Sequence, residues 1–143
     1  MAPIHILLVE DNEGDILLTL EALQEGNLPL EVTVVKDGWE ALQFIAQEGS
    51  YKDARDPDLI LLDVNLPKVN GHEVLEKIKS TDAKKDIPVI MFTTSSSEID
   101  ITKSFKNRAD SYIPKPVDAH DFKRVVDSIE TFWAAYKSNS SEK

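Results

Sequence analysis

Four consecutive aliphatic residues, Leu59 to Leu62, constrain the fold of this 143-residue chain more than any other feature. An uninterrupted apolar run of this length is typical of a strand that is buried on both faces, as in parallel sheets covered by helices. The run ends at a carboxylate, Asp63, and ligands of open α/β sheets bind at the carboxyl ends of strands. An isolated aspartate at this position more often begins a solvated turn or caps a helix, so the function of Asp63 depends on the residues at the other strand ends.

Apolar runs and helical patterns alternate along the rest of the chain. Residues spaced three and four apart predict helices that begin near positions 16, 37, 71, 98 and 122. The predicted strands are 5–9, 31–35, 59–62, 89–92 and 110–116. Right-handed crossovers place helices on both faces of such a sheet, so the sequence predicts an α/β fold with a doubly wound parallel sheet in three layers. The second strand is expected near an edge, and so is the fifth, because Pro114 lacks a donor N–H.

Three smaller expectations concern individual residues. Asp37 is expected to cap the second helix, with Glu40 three residues later in capping-box spacing. Trp39 is expected to pack on the inner face of that helix. The three histidines fall in elements that do not converge, so no metal or catalytic role is expected for them; they are His5, His72 and His120.

Composition excludes several classes of function. The formal net charge of −10 argues against a nucleic acid or an anionic membrane as a direct partner. The absence of cysteine excludes disulfides and thiolate metal sites, and no apolar run is long enough to span a membrane. The run from Ile4 to Val9 is too short for a signal peptide, so a cytoplasmic location is expected. Residues 1–137 are expected to form one domain, followed by a polar tail at 138–143.

Acidic residues follow the first predicted strand as well as the third. If the strand order is 2-1-3-4-5, which periodicity cannot establish, the two strands are neighbours and Glu10, Asp11 and Asp63 meet at one sheet edge. Such carboxylates repel one another and have raised pKa values unless a cation neutralises them. Oxygen ligands without histidine or cysteine suit Mg²⁺. The sequence therefore predicts a magnesium site at this edge.

A hydroxyl group and an ammonium group follow the fourth and fifth predicted strands. Thr93 and Lys115 have ordinary explanations when taken singly, as a strand-end threonine and a solvated lysine. Together with the acidic residues they form a set suited to phosphoryl transfer, in which cations neutralise phosphoryl oxygens and a carboxylate attacks phosphorus. Asp63 is the predicted nucleophile.

Four segments of the chain resemble the receiver domains of two-component response regulators. The segments are 9–12, 58–71, 92–94 and 112–116, and the resemblance covers roughly residues 3 to 135. It implies a flavodoxin-like (βα)5 fold with the strand order 2-1-3-4-5. It also implies that Asp63 accepts a phosphoryl group from the phosphohistidine of a histidine kinase, and that the protein is not a conventional enzyme.

The resemblance also implies the roles of the neighbouring residues. Asp11 and Asp63 would bind Mg²⁺ directly together with the backbone carbonyl of Asn65, and Glu10 would act through water. The remaining implied roles concern strands four and five. Thr93 and Lys115 would bind phosphoryl oxygens, and Tyr112 would be the aromatic switch that turns inward. The Lys115–Pro116 bond would be cis.

Two residues depart from the pattern common in receiver domains. Glu10 replaces the more frequent aspartate, which does not threaten metal binding. Thr94 is larger than the alanine or glycine often found beside the switch threonine. We therefore hypothesise a long-lived phosphorylated form, which a half-life of only seconds would contradict.

A narrower resemblance is to single-domain regulators that partner bacterial and cyanobacterial phytochromes. It is carried by the loop before Asp58 and by the segments 61–68 and 128–133. It implies a phytochrome-type kinase as partner. It also suggests a homodimer through the last helix and the side of strands four and five, although the aromatic residues of that helix could equally extend the core; these are Phe132, Trp133 and Tyr136.

Alternative functions remain open at this point. Without an effector domain, the output would be a protein–protein contact at the surface of the fourth helix, fifth strand and fifth helix, or onward transfer of the phosphoryl group in a phosphorelay. A small phosphohydrolase with an aspartyl-phosphate intermediate is a further alternative, although Asn65 occupies the place of its second aspartate. A flavodoxin-like electron carrier is disfavoured because the Glu10–Asp11 pair would repel a flavin phosphate.

Overall fold

Five strands and five helices alternate along residues 3–94 and 97–141, the parts of the chain that the computed structural model describes. The strands are β1 (Ile4–Val9), β2 (Leu30–Val35), β3 (Leu59–Leu62), β4 (Val89–Thr93) and β5 (Ser111–Pro114). The helices are α1 (Glu13–Gln24), α2 (Gly38–Ala46), α3 (Gly71–Lys79), α4 (Glu98–Lys106) and α5 (Phe122–Ser141). Each predicted element is present, and most boundaries shift by only a few residues.

The five strands form one parallel sheet in the order β2-β1-β3-β4-β5. The predicted fold and strand order are therefore confirmed, as are the edge positions of β2 and β5. In the β1–β3 ladder Val9 pairs with Leu62, the last residue of each strand. The residues that follow these two, Glu10 and Asp63, consequently emerge side by side at the carboxyl edge of the sheet.

The core consists of two apolar layers on opposite faces of the sheet. Consecutive side chains of a strand point to opposite faces, and both faces of β3 are covered, so all four residues from Leu59 to Leu62 are buried. One layer packs against α2 and α3, and it includes Leu7, Ile60, Leu62, Phe44, Val74 and Ile78. The other packs against α1 and α5, and it includes Leu8, Leu59, Leu61, Leu23, Val125 and Ile129. The central strands are thereby held from both sides.

Side-chain caps fix the helices that begin at or near the carboxyl edge. The capping residue of each accepts a hydrogen bond from the backbone N–H three residues later; the four are Asn12, Asp37, Asn70 and Ser97. Such a cap contributes about 1 kcal/mol. The predicted cap of α2 is confirmed, with Asp37 Oδ1 at 2.7 Å from the N–H nitrogen of Glu40. The Glu40 carboxylate in turn lies 3.4 Å from the backbone nitrogen of Lys36 rather than that of Asp37.

Trp39 does not pack on the inner face of α2, so that prediction is wrong. Its side chain is 52% exposed and lines a groove between α2 and α3. The buried residues of α2 recur at positions 38, 41, 44 and 45. Position 39 is rotated by about 100° from position 38 around the helix axis, which turns it away from the core.

The last part of the chain bears on two expectations, the Lys115–Pro116 bond and the polar tail. The peptide bond between Lys115 and Pro116 is trans, since the described residues contain no cis peptide, so the predicted cis bond is wrong. The trans form of an X–Pro bond is favoured by about 0.5–1 kcal/mol when nothing else selects between the two. The last helix continues to Ser141, into the segment expected to be a tail, while positions 142 and 143 lie outside the described residues.

None of the helices in the described ranges combines the length and apolar character needed to cross a bilayer.

Candidate functional site

Three carboxylates meet at the carboxyl edge of the sheet. Glu10 and Asp11 follow β1, Asp63 follows β3, and the backbone N–H of Asp63 donates to the carbonyl of Val9 at 3.2 Å. One ligand oxygen from each carboxylate lies within 4.8 Å of the others. Glu10 and Asp63 are buried, whereas Asp11 is exposed. The structure thus brings together the three residues that the sequence placed at neighbouring strand ends.

Lys115 lies directly after β5 and donates to three carboxylates. Its ammonium nitrogen contacts Glu10 Oε1, Asp63 Oδ2 at 2.9 Å and Asp15 Oδ2 at 3.1 Å. An ammonium group has three N–H donors, which matches the number of these carboxyl groups. Asp15 was not among the predicted site residues. The signal that could have found it is its place in the first turn of α1, directly after the acidic end of β1.

Burial and hydrogen bonding displace the pKa values of two groups at the site. Burial raises the pKa of the Glu10 carboxyl from its ordinary value of 4.5 to about 7, although the hydrogen bond from Lys115 opposes that rise. Burial alone would lower the pKa of Lys115, but the hydrogen bonds to Glu10 and Asp63 outweigh it and raise that pKa. The lysine is therefore held as a cation, and its hydrogen bond only partly offsets the effect of burial on the pKa of Glu10.

Both oxygens of Asp63 are oriented by hydrogen bonds. Oδ1 accepts from the backbone N–H of Asn65 at 3.2 Å, while Oδ2 accepts from Lys115. The carboxylate therefore has a fixed direction, with Oδ1 at the backbone of the loop between β3 and α3 and Oδ2 at the Lys115 ammonium.

The loop from residue 64 to residue 70, which carries Asn65, is held between two glycines. Gly38 donates its N–H to the carbonyl of Pro67 at 3.3 Å, and Gly71 donates to the carbonyl of Val64 at 2.8 Å. A Cβ atom at Gly38 would lie 1.8 Å from a backbone oxygen of this loop, and one at Gly71 would lie 2.0 Å from the backbone oxygen of Asp63. Only a residue without a side chain fits at either position.

Thr93 and Tyr112 lie on the β4–β5 side of the site. Thr93 is the last residue of β4 and is buried, and its carbonyl accepts from the backbone N–H of Lys115 at 2.8 Å. Thr94, next to it, is exposed. Tyr112 lies in β5, pairs in register with Met91 and is partly buried against the core.

The histidines lie apart from one another and from the carboxylates, as expected. His5 lies near the start of β1, where its Nε2 is 2.9 Å from the hydroxyl oxygen of Thr33. His72 lies near the start of α3 and its Nε2 is 3.0 Å from Asp100 Oδ1, which links α3 to α4. His120 is exposed in a short 3-10 turn before α5.

The donor set of the acidic cluster fits a hard divalent cation. Its ligands are carboxylate oxygens, and the described residues offer no sulfur or imidazole ligand beside them. Burial raises the pKa of Glu10, and a divalent cation bound at the cluster would favour its ionised form. Glu10, Asp11 and Asp63 are therefore the residues that could hold a divalent cation.

A parallel five-stranded sheet in this order, with an acidic cluster and a lysine at its carboxyl edge, is the arrangement of a response regulator receiver domain. The family model of the response regulator receiver domain matches residues 6–127, and the chain belongs to this family. It is similar to the response regulator Rcp1 of Synechocystis sp., with 40% identity over 131 residues that cover 92% of this chain and 89% of that protein. It is also similar to a probable methanogenesis regulatory protein, FilR2 of Methanothrix harundinacea, with 37% identity over 135 residues, covering 94% and 86% of the two chains.

Solved structures give the same assignment. The phosphorylated cyanobacterial phytochrome response regulator RcpA superposes with a TM-score of 0.88 at 47% identity, over 93% of this chain and 95% of that one. The Mn²⁺-bound form of Rcp1 superposes with a TM-score of 0.86 at 40% identity, over 92% and 94%. The chain is a response regulator of the two-component type with phytochrome-related homologues, which confirms the predicted family and the narrower resemblance.

Proposed function

We propose that the protein is a phosphorylation switch in which Asp63 accepts a phosphoryl group from the phosphohistidine of a sensor histidine kinase, in a reaction that requires Mg²⁺. The observation that carries the proposal is the fixed Asp63 carboxylate, with one oxygen held by Asn65 and the other by Lys115, inside a cluster of further carboxylates. A nucleophile needs such orientation, and its charge must be offset before an anionic phosphoryl group can approach.

In the proposed transfer, an oxygen of Asp63 forms a bond to phosphorus while the phosphorus–nitrogen bond of phosphohistidine breaks. The electron pair of that bond stays on the imidazole nitrogen, and the histidine side chain leaves as neutral imidazole because its other ring nitrogen carries a proton. Lys115 exchanges its bond to Asp63 Oδ2 for a bond to a phosphoryl oxygen. Mg²⁺ would supply further neutralisation of phosphoryl charge. Asp11, Asp63 and the backbone carbonyl of Asn65 would hold it directly, and Glu10 would act through water.

The proposed signal leaves the site through β4 and β5. Thr93 would bind a phosphoryl oxygen and Tyr112 would turn inward, which biases the surface of α4, β5 and α5 between two states. The hydrogen bond between the backbones of Thr93 and Lys115 supports this route, because it joins the two strands at the site. Large apolar side chains are exposed around that surface, at Ile99, Phe105 and Val117, and suit a protein partner.

The proposed kinase is of the phytochrome type. Support comes from the similarity to RcpA, a cyanobacterial phytochrome response regulator, over nearly the full length of both chains. Output is proposed to be a protein–protein contact with a downstream protein, and transfer of the phosphoryl group to a further histidine is the alternative.

The proposal is tested by incubating the purified protein with acetyl phosphate, with Mg²⁺ or with a chelator, and following its intact mass. We expect one phosphoryl group per chain in the presence of Mg²⁺ and its loss on treatment with hydroxylamine, which cleaves acyl phosphates. A chelator should stop the incorporation. Absence of incorporation, or equal incorporation with the chelator, would contradict the proposal, and catalytic release of phosphate from small phosphomonoesters would instead favour the phosphohydrolase.

A homodimer through α5 is the second part of the proposal. Phe132 and Trp133 pack partly against the core, and the Tyr136 ring stacks on both, with ring centroids 6.2 and 5.7 Å apart. All three rings keep part of their surface exposed, so they support the core and also offer a contact surface.

We expect Trp133→Ala to weaken this dimer about tenfold or more, as the loss of a large aromatic anchor does at other interfaces. Light scattering over a range of concentrations, on both phosphorylation states, measures the effect. Leu17→Ala, which removes an exposed apolar side chain from α1, is the matched control and should leave the dimer unchanged. A wild-type protein that stays monomeric in both states at high concentration would exclude the dimer.

A further inference from the structure

Asp15 is the most exposed of the three carboxylates that contact Lys115. It lies in the first turn of α1, and its side chain is 26% exposed, against 2% for Glu10 and 7% for Asp63. Its Oδ2 is 3.1 Å from the ammonium nitrogen of Lys115. Asp15 therefore approaches Lys115 from the solvent side of the site, while the other two carboxylates approach from within.

The other two partners of Lys115 change their bonding in the proposed reaction. Glu10 and Asp63 belong to the acidic cluster that would hold Mg²⁺, and Asp63 also becomes bonded to phosphorus. Asp15 is outside that cluster and does not receive the phosphoryl group. Among the ion pairs of the described residues, the Asp15 pair is thus the one that can hold Lys115 throughout the reaction.

We propose that Asp15 is a positioning residue that holds the Lys115 ammonium in place during the reaction. Meanwhile the contacts of Glu10 and Asp63 with Lys115 are replaced by contacts with the metal and the phosphoryl group. This inference rests on the proposed function. Without Asp15, the ammonium would depend on Glu10 and Asp63 alone and would compete with Mg²⁺ for their oxygens. Loss of the negative charge at position 15 would replace a charge-assisted hydrogen bond by a weaker neutral one, which would leave Lys115 less firmly placed to bind an incoming phosphoryl oxygen.

The alternative role of Asp15 is to stabilise the start of α1. The cap of α1 does not use the Asp15 carboxylate: the backbone N–H of Asp15 donates to the side-chain oxygen of Asn12 at 2.9 Å. Any acidic residue in the first turn interacts favourably with the helix dipole, and Glu13 shares that turn. The side chain of Glu13 pairs with Lys36 at the surface rather than with Lys115, so it serves as a control for the dipole effect.

The experiment compares Asp15→Asn with Glu13→Gln, each of which removes one negative charge from the same helix turn. Calorimetry measures Mg²⁺ affinity, and intact mass measures the rate of phosphorylation by acetyl phosphate at saturating Mg²⁺. We expect Asp15→Asn to lower both by about tenfold, a size typical of residues that orient a metal-site group. Glu13→Gln should stay within about twofold of the wild type. Asp15→Glu, which keeps the carboxylate, should recover part of the loss.

A third measurement distinguishes this inference from the proposed function. The NMR signal of the Lys115 ammonium, which is buried, should shift in Asp15→Asn and stay in place in Glu13→Gln. If the wild type takes up no phosphoryl group, the proposed function fails, but the Mg²⁺ affinity and the ammonium signal still decide whether Asp15 positions Lys115. Equal effects of the two substitutions on these readouts, or an unchanged ammonium signal in Asp15→Asn, would overturn the inference.

Discussion

Asp63→Asn is expected to abolish the incorporation of a phosphoryl group from acetyl phosphate in the presence of Mg²⁺. The amide is a poor nucleophile and carries no negative charge, so it cannot form the acyl phosphate. The side chain keeps its size, and its amide oxygen can still accept a hydrogen bond from Lys115 or from the N–H of Asn65, so the fold should survive. Intact mass measures incorporation, and circular dichroism checks the fold.

The matched control for this substitution is Asp82→Asn, which changes an exposed aspartate with a single ion-pair contact, to Lys85 at 3.7 Å. It should be phosphorylated at the wild-type rate. Equal incorporation by the wild type and Asp63→Asn would show that the phosphoryl group is attached elsewhere, and the central claim about Asp63 would fail.

Lys115→Met is expected to lower the free energy of unfolding by about 3–5 kcal/mol, because it removes one partner of a buried ionic cluster. Glu10 and Asp63 would stay buried beside each other without the ammonium that joins them. Methionine keeps most of the length and apolar stem of lysine, so the change isolates the charge. Denaturation by urea at neutral pH, in the presence of a chelator, measures the loss.

Lys36→Met is the control for Lys115→Met. Lys36 and its partner Glu13 have side chains that are 56% and 73% exposed, and such surface pairs contribute at most about 1 kcal/mol. Addition of Mg²⁺ should restore part of the stability of Lys115→Met, since ligand binding to the folded state stabilises it. Similar losses for the two lysine substitutions would show that the Lys115 cluster contributes no more than a surface ion pair.

The parts of the structure that followed from sequence are those set by local pattern. The apolar run from Leu59 to Leu62 specified a strand buried on both faces, and that burial in turn required helices on both sides of the sheet. The meeting of Glu10 with Asp63 then depended only on strand order, because each residue directly follows the end of its strand. The strand order itself came from the family resemblance, since periodicity contains no information about which strands are neighbours.

The parts that sequence did not predict depend on three-dimensional packing. Trp39 is exposed because of how α2 is rotated about its axis. Ala41, Phe44 and Ile45 face the sheet, and this turns position 39 away from it. The contact of Asp15 with Lys115 joins residues one hundred positions apart, and it requires the direction of a long lysine side chain. The extension of α5 to Ser141 involves polar residues that give no apolar periodicity to read.

The two glycines that enclose the loop between β3 and α3 have a consequence for how that loop can vary in length. The loop is in close backbone contact with Gly38 of α2, and Gly71 is in close contact with the backbone of Asp63. The loop therefore has no free space at either end. An inserted residue would have to displace a helix or β3, whereas the exposed segment after α2 could accommodate one at the surface. Among related regulators, insertions should therefore accumulate after α2 and be rare between Asp63 and Gly71.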